Sequence, residues 1–131
     1  MNKQHNKYKR NISYKRHILK FGTLGIKAST AGRLTETRMS NLSRLINKSI
    51  KLFSKNTNSI KFWNLILMNS TLTALSPESR MGKGKGSVYT KSCYVKPGQL
   101  LFEFSGVTLN QLKFFNDFIK KKLPIQTIIV L

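Results

Sequence analysis

Apolar residues recur at helical spacing in two segments of the chain, and the first segment follows Thr35. Thr35 favours the N-cap position of a helix, and Glu36 suits the first turn, where a negative charge is stabilised by the helix dipole. The pattern predicts a helix of about 18 residues. Its apolar stripe consists of Met39, Leu42, Ile46, Ile50 and Phe53.

The second helical segment begins after Thr108, which is also a suitable N-cap. One stripe carries Leu112, Phe115 and Ile119. Lysines occupy residues 120–122, where cations complement the C-terminal end of the helix dipole, and Pro124 prevents further helix.

The remaining apolar segments predict strands. Leu24, Ile26 and Ala28 alternate as in a short strand, and the run 60–68 is apolar enough for a buried one. Residues 88–95 and 99–104 are strand-like on either side of Lys96-Pro97-Gly98, which predicts a type II turn and therefore a hairpin. The β-branched segment 125–131 predicts a final strand beside that hairpin.

Trp63 lies inside the apolar run 60–68 and has two interpretations. An indole ring can stack on a nucleobase, but inside so apolar a run it is more often a core residue. The core interpretation is favoured.

These elements predict an α+β fold in the form of a two-layer sandwich. Two helices cover one face of a mixed or antiparallel sheet. Residues 1–20 form a basic N-terminal arm, residues 21–131 form a single domain, and a long Gly/Lys loop projects from that domain.

The charge balance of the chain indicates a polyanionic partner. The chain has 24 Lys and Arg against 4 Asp and Glu, which gives a formal net charge of +20. Most cations therefore have no carboxylate to pair with and are available for phosphate. A solvated basic surface is the alternative, but it explains a short charge run better than an imbalance across a whole chain. Self-repulsion also disfavours a homo-oligomer.

The arm at residues 1–20 contains seven cations and no acid, and we expect it to bind RNA. A mitochondrial transit peptide is the alternative, although such peptides favour arginine and serine over lysine and asparagine. The polar face of the first helix is similarly either a solvated face or a second RNA contact, and contact is favoured. The expected contacts in these segments are Lys9, Arg10, Lys15, Arg16 and Arg38.

Several classes of function are disfavoured. Cys93 is the single cysteine and the two histidines lie in the arm, so neither a disulfide nor a cysteine-rich zinc site is expected. No apolar run approaches the roughly 20 residues that a membrane helix needs, so we expect a soluble protein. No nucleotide-binding motif or catalytic acid and base pattern is visible, and we expect neither a cofactor nor an enzyme activity.

The run Arg80-Met81-Gly82-Lys83-Gly84-Lys85-Gly86 alternates cations with glycine. Glycine lets a backbone approach a surface closely, and lysine brings a mobile ammonium to phosphate oxygens. A flexible connection is the alternative, but three cations with no acid between them favour RNA. We expect Arg80, Lys83 and Lys85 to contact RNA, and Gly82, Gly84 and Gly86 to allow the approach.

In its order of motifs, the chain resembles the bacterial-type large-subunit ribosomal protein L-sixteen family. The motifs are the run 80–86, Val95-Lys96-Pro97-Gly98, Leu101-Phe102-Glu103, Ser105-Gly106-Val107 and Lys122-Leu123-Pro124-Ile125. Residues 21–28 and Gly32-Arg33-Leu34-Thr35 resemble that family's N-terminal block, and Arg33 joins the expected RNA contacts.

The resemblance implies a structural subunit that binds large-subunit rRNA near the central protuberance. It further implies that the basic loop reaches toward the peptidyl-transferase region and helps to organise the aminoacyl-tRNA site, with A-site tRNA and neighbouring ribosomal proteins as candidate partners. A free-standing RNA-binding regulator, or a subunit of an RNA-modifying enzyme, is the alternative.

The compartment is inferred from composition. Lysine outnumbers arginine 18 to 6, and asparagine, isoleucine and phenylalanine are abundant, as adenine- and thymine-rich codons would give. We hypothesise a subunit of the mitochondrial ribosome in the matrix, encoded inside the organelle. A plastid or bacterial ribosome is the alternative.

Overall fold

The structure is a computed structural model that describes residue 3 and residues 16–55, 59–78, 80–82 and 84–131. Two helices lie in these ranges, α1 (Glu36–Phe53) and α2 (Leu109–Lys122). The strands are β1 (Leu24–Ala28), β2 (Gly32–Thr35), β3 (Lys61–Asn64), β4 (Ser70–Ala74), β5 (Ser87–Val95), β6 (Leu100–Ser105) and β7 (Thr127–Val130). The α+β class and the two helices are thus confirmed.

The strands form two sheets rather than the single sheet that the sequence predicted. The four-stranded sheet has the order β3-β6-β1-β7, and the three-stranded sheet has the order β2-β5-β4. Every neighbouring pair is antiparallel. Helix α2 contacts β7 of the first sheet, whereas α1 contacts β2 and β5 of the second, and the helices also contact each other.

Both predicted helices are confirmed. Helix α1 is 18 residues long and follows Thr35 as N-cap, and it buries Met39, Leu42 and Ile46. Helix α2 begins with a capping box in which Thr108 and Gln111 each bond the other's backbone N–H. The Gln111 N–H donates to Thr108 Oγ1 at 3.4 Å, and the Thr108 N–H donates to Gln111 Oε1 at 3.0 Å.

The core lies between the helices and the sheets and contains a stack of aromatic rings. Phe104 of β6 and Phe115 of α2 stack with centroids 5.1 Å apart, so the four-stranded sheet and α2 are joined by ring contact. Phe62 of β3 packs against Phe102 and Phe104 at 5.6 and 5.2 Å.

The predicted hairpin between residues 88–95 and 99–104 is wrong, although both strands exist. Strand β5 belongs to the three-stranded sheet and β6 to the four-stranded sheet. The turn itself matches type II, since Gly98 has φ +83° and the Gln99 N–H donates to the Lys96 carbonyl at 3.2 Å. A type II turn splays its flanking strands, so it suits a corner between two sheets better than a tight hairpin. The last strand, β7, was predicted beside that hairpin and instead pairs with β1.

The predicted buried strand at 60–68 is also partly wrong. Strand β3 ends at Asn64, whose side-chain Oδ1 accepts a hydrogen bond of 3.0 Å from the Ile66 N–H. One more backbone bond to β6 follows, from the Leu65 N–H to the Leu101 carbonyl at 3.0 Å, and the Asn64 side chain then turns the chain locally, as asparagine often does in turns. Leu67 is 70% exposed, and the next strand is the polar β4, where no strand was predicted.

The prediction that Trp63 is a core residue is wrong. Phe62 packs into the core, and successive side chains of a strand point to opposite faces, so Trp63 lies on the outer face of the four-stranded sheet. There it is partly buried and stacks on Phe21, with ring centroids 6.1 Å apart and planes 23° from parallel.

Candidate nucleic-acid interface

The Gly/Lys loop is the tip of a hairpin formed by β4 and β5. Ala74 pairs with Ser87, and residues 75–86 connect the two strands. Arg80 and Lys85 are exposed, and Met81 is 92% exposed. The loop therefore presents Arg80 and Lys85 to solvent on a stem of antiparallel hydrogen bonds.

Glycine is needed at two positions of this tip because the backbone there is left-handed. Gly82 has φ +99° and Gly84 has φ +84°. No atom of the described chain lies within 4 Å of where a β-carbon would stand at either residue. Both glycines thus shape the loop by their φ angles, and the space above them is open to a partner.

Gly86 has a different role, at the base of the loop, next to the first residue of β5. A β-carbon at this residue would collide with the carbonyl oxygen of Ala74 on the facing strand. Gly86 therefore allows the two backbones to come together where the stem begins.

Several predicted RNA contacts lie outside the described residues, namely Lys9, Arg10, Lys15 and Lys83. The described part of the arm begins with Lys3, whose Nζ donates a 3.1 Å hydrogen bond to the Lys85 carbonyl. That bond places one cation of the arm beside the Gly/Lys loop.

Residues 16–22 cross the outer face of the four-stranded sheet, and we call this segment the strap. The Leu100 N–H donates to the Arg16 carbonyl at 2.8 Å, which attaches the start of the strap to β6. Leu19 lies over Gly25 of β1, where a β-carbon would come within 2.6 Å of Leu19 Cδ2. The exposed side chains of Arg16 and Lys20 consequently stand at this face.

The strap is held by the buried carboxylate of Glu103 on β6. Three backbone N–H groups donate to it: Lys20 to Oε1 at 2.9 Å, and Phe21 and Gly22 to Oε2 at 2.6 and 2.9 Å. Burial by itself would raise the pKa of the Glu103 carboxyl, but these three donors and the Lys20 ammonium outweigh it and hold that pKa below its usual range. Glu103 is therefore ionised, and both of its carboxylate oxygens accept hydrogen bonds from the strap.

Two of the predicted contacts, Arg33 and Arg38, are brought together by the fold. Arg33 on β2 and Arg38 on α1 line one hollow with Tyr94 of β5. Arg38 also lines an adjoining hollow with Arg44 and Lys122. These four cations form a second basic surface, in which Arg33, Arg38 and the polar face of the first helix, with Arg44, were expected RNA contacts and Lys122 was not. Lys122 joins it because the end of α2 lies next to α1, a contact that local sequence does not signal.

Within the described residues, no chemistry other than charge stands out. No group of three or more His, Cys, Asp or Glu side chains lies close enough to hold a metal ion. Burial raises the pKa of the Cys93 thiol, partly offset by Arg16, so the thiol is protonated and unreactive at neutral pH. Neither helix in these ranges is long and apolar enough to cross a membrane.

Comparison with known proteins gives one consistent family. The profile described as ribosomal protein L16p/L10e matches residues 1–130. The chain is 42% identical over 120 residues to "Large ribosomal subunit protein uL16m" of Chondrus crispus, covering 92% of this chain and 87% of the relative. It is also similar to "Large ribosomal subunit protein uL16" of Psychrobacter arcticus, 30% identical over 98% of this chain and 89% of the relative. A third relative, the uL16 protein of Buchnera aphidicola subsp. Acyrthosiphon pisum, is 36% identical over 86% of this chain and 78% of the relative.

Proposed function

The chain belongs to the ribosomal protein L16p/L10e family and is a protein of the large ribosomal subunit, and from that premise we propose that it organises rRNA around the aminoacyl-tRNA site. It is a structural subunit and not an enzyme. In this proposal the protein binds large-subunit rRNA near the central protuberance and meets neighbouring ribosomal proteins, and it works by neutralising phosphate charge.

The observation that carries the proposal is the Gly/Lys loop at the tip of the β4–β5 hairpin. Arg80 and Lys85 are exposed, and the two left-handed glycines of the loop have open space above them. A backbone without side chains can lie directly against a phosphate backbone, and the flanking cations then reach the phosphate oxygens. Arg80, Lys83 and Lys85 are the proposed loop contacts, and this loop is the part that would reach toward A-site tRNA.

The second basic surface and the arm extend the proposed contact with rRNA. Arg33 and Arg38 lie in one hollow, where two guanidinium groups can share a phosphate through bidentate bonds. The arm, residues 1–20, carries Lys9, Arg10, Lys15 and Arg16 and would follow the rRNA away from the single domain at 21–131. Because the net charge is +20, the partner of these surfaces is RNA and not a second copy of the chain.

The mitochondrial ribosome is the proposed location. The relative from Chondrus crispus carries the suffix m in its name, and its 42% identity exceeds the 30% and 36% of the two bacterial relatives. The excess of lysine over arginine, 18 to 6, agrees with an organellar gene.

Sedimentation tests the ribosomal assignment directly. We expect the endogenous protein in an organelle lysate, followed by mass spectrometry through a sucrose gradient, to migrate with the large subunit at low and moderate salt. A free or small-particle pool at both salt concentrations would contradict the proposal and favour a free-standing RNA-binding regulator.

The loop contact is tested by the salt dependence of RNA binding. Lys85→Ala should weaken binding of the purified chain to an rRNA fragment and reduce the slope of log affinity against log salt by about 0.7 to 0.9. Lys113→Ala is the matched control, since it removes the same charge from an exposed position on α2. Equal slopes for the two variants would exclude a specific phosphate contact at Lys85.

A further inference from the structure

The outer face of the four-stranded sheet carries an aromatic pair that the basic surfaces described above do not include. Phe21 and Trp63 stack with their planes 23° apart, and Phe21 is still 61% exposed. A ring that stacks on Trp63 and is still open to solvent offers an apolar face to a partner.

Phe21 is held in this position by the strap. The Glu103 carboxylate binds the backbone N–H groups of Phe21 and of both its neighbours. Trp63 and Glu103 are directly opposite each other on β3 and β6, so the ring beneath Phe21 and the carboxylate that fixes its backbone belong to one cross-strand pair. The position of Phe21 is therefore determined in advance of any binding partner.

The surroundings of Phe21 combine apolar surface with positive charge. Ile18 and Leu67 are exposed beside it and line the same hollow, together with the cations Arg16 and Lys20. Lys61 lies two residues before Trp63 on β3, shares its face and is exposed. The one acid that lines the hollow is Glu103, whose two oxygens already accept three N–H bonds.

We propose that Phe21, supported by Trp63, is a stacking site for an unpaired nucleobase of rRNA, with the flanking phosphates at Arg16 and Lys20. A flat ring that shares its hollow with two cations matches a nucleotide, which offers a π face and two phosphates. An apolar protein segment would gain from the ring but not from the cations. The inference rests on the proposed rRNA-binding function and adds a contact that reads an unpaired base.

Tryptophan fluorescence tests the site, because Trp63 is the single tryptophan of the chain. In the full chain carrying Phe21→Trp with Trp63→Phe, the tryptophan moves to the exposed position. We expect a single-stranded oligouridine to quench its emission. The matched control carries Phe114→Trp with Trp63→Phe, which places the tryptophan on α2 at a position 49% exposed, and it should not be quenched.

Affinity provides the second readout. Phe21→Leu keeps apolar contact with Trp63 and should weaken oligouridine binding about tenfold, as loss of one base–aromatic stack does. Its salt slope should equal that of the wild-type chain, because no charge is removed. Phe114→Leu should bind as the wild type does, and Phe21→Tyr should restore affinity because it restores a ring.

The outcomes separate this inference from the function on which it rests. RNA binding with a normal salt slope, but without quenching at position 21 and without an effect of Phe21→Leu, would overturn the stacking site and leave the rRNA-binding function intact. Absence of RNA binding by the wild-type chain would overturn both. Cross-links from the strap to a ribosomal protein in intact large subunits, with none to rRNA, would make this face a protein contact and also overturn the stacking site.

Discussion

The carboxylate of Glu103 accepts a hydrogen bond of 2.6 Å from the backbone N–H of Phe21, a residue 82 positions earlier in the chain. In a protein with 24 cations, this buried acid is satisfied mainly by backbone N–H groups. The bond joins the strap to the centre of the four-stranded sheet. It thereby connects the basic arm to the folded part of the chain at a defined point.

The first prediction concerns the stability that Glu103 supplies. Glu103→Gln leaves one acceptor oxygen for three N–H donors and turns an amide NH2 toward the rest. We expect a loss of about 1.5 to 3 kcal/mol in the free energy of unfolding, the range for hydrogen bonds to a charged group. Denaturant unfolding at pH 7 measures it. Glu78→Gln, at an exposed acid, is the control and should change stability by no more than about 0.5 kcal/mol. Equal stability of the two variants would contradict the role assigned to Glu103.

The second prediction concerns pH. The pKa of Glu103 is lowered in the folded protein, so its contribution is fully present above the pKa in the unfolded chain, about 4.3 for glutamate, and is lost as pH falls through the folded pKa. The stability difference between the wild type and Glu103→Gln should therefore be constant near neutral pH and narrow below about pH 4.3. Unfolding curves from pH 7 to pH 3 at constant ionic strength measure this. The other acids titrate in both proteins and cancel in the difference. A gap that stays constant down to pH 3 would refute the assignment.

The third prediction separates two glycines of the Gly/Lys loop. Gly84→Ala places a β-carbon in open space and costs only the strain of a positive φ, about 1 kcal/mol. Gly86→Ala drives a β-carbon into the Ala74 carbonyl and should cost about 1 to 3 kcal/mol, because the facing strands must move apart. Amide hydrogen exchange distinguishes them: exchange along β4 and β5 should accelerate in Gly86→Ala and stay unchanged in Gly84→Ala. Equal amide exchange rates in the two variants would show that the backbones of Gly86 and Ala74 do not approach each other as described.

Local elements were predictable from the chain, whereas their pairing was not. The N-cap positions of Thr35 and Thr108 and the positive φ of Gly98 depend on a few neighbouring residues, and all three were predicted, although only Thr108 makes a side-chain capping bond. The prediction that the turn at Gly98 joins the two strands of a hairpin was wrong, because β5 and β6 lie in different sheets. Strand pairing depends on where each strand finds partners far along the chain, and β5 pairs with β2 and β4 instead of β6.

The candidate interface likewise has features that the sequence predicts and features that only the fold reveals. The cations of the loop and the charge imbalance are visible as composition. The closeness of Arg33 to Arg38 and Tyr94 requires α1 and β5 to meet beside β2. The outer-face position of Trp63 was missed because its neighbours in sequence are apolar, and a period of two along a short strand decides which of them enters the core.

By itself, the sequence determined the helices, the turn residues, the polyanionic nature of the binding partner and the resemblance to a ribosomal protein family. Each of these depends on neighbouring residues, on short motifs or on total composition. Tertiary structure alone decided the division into two sheets, the binding of the strap by Glu103 and the exposure of Phe21 above Trp63. These depend on contacts between segments that are distant in the chain, 81 to 83 residues apart for Glu103 and the strap, and such contacts form only when the chain closes around its core.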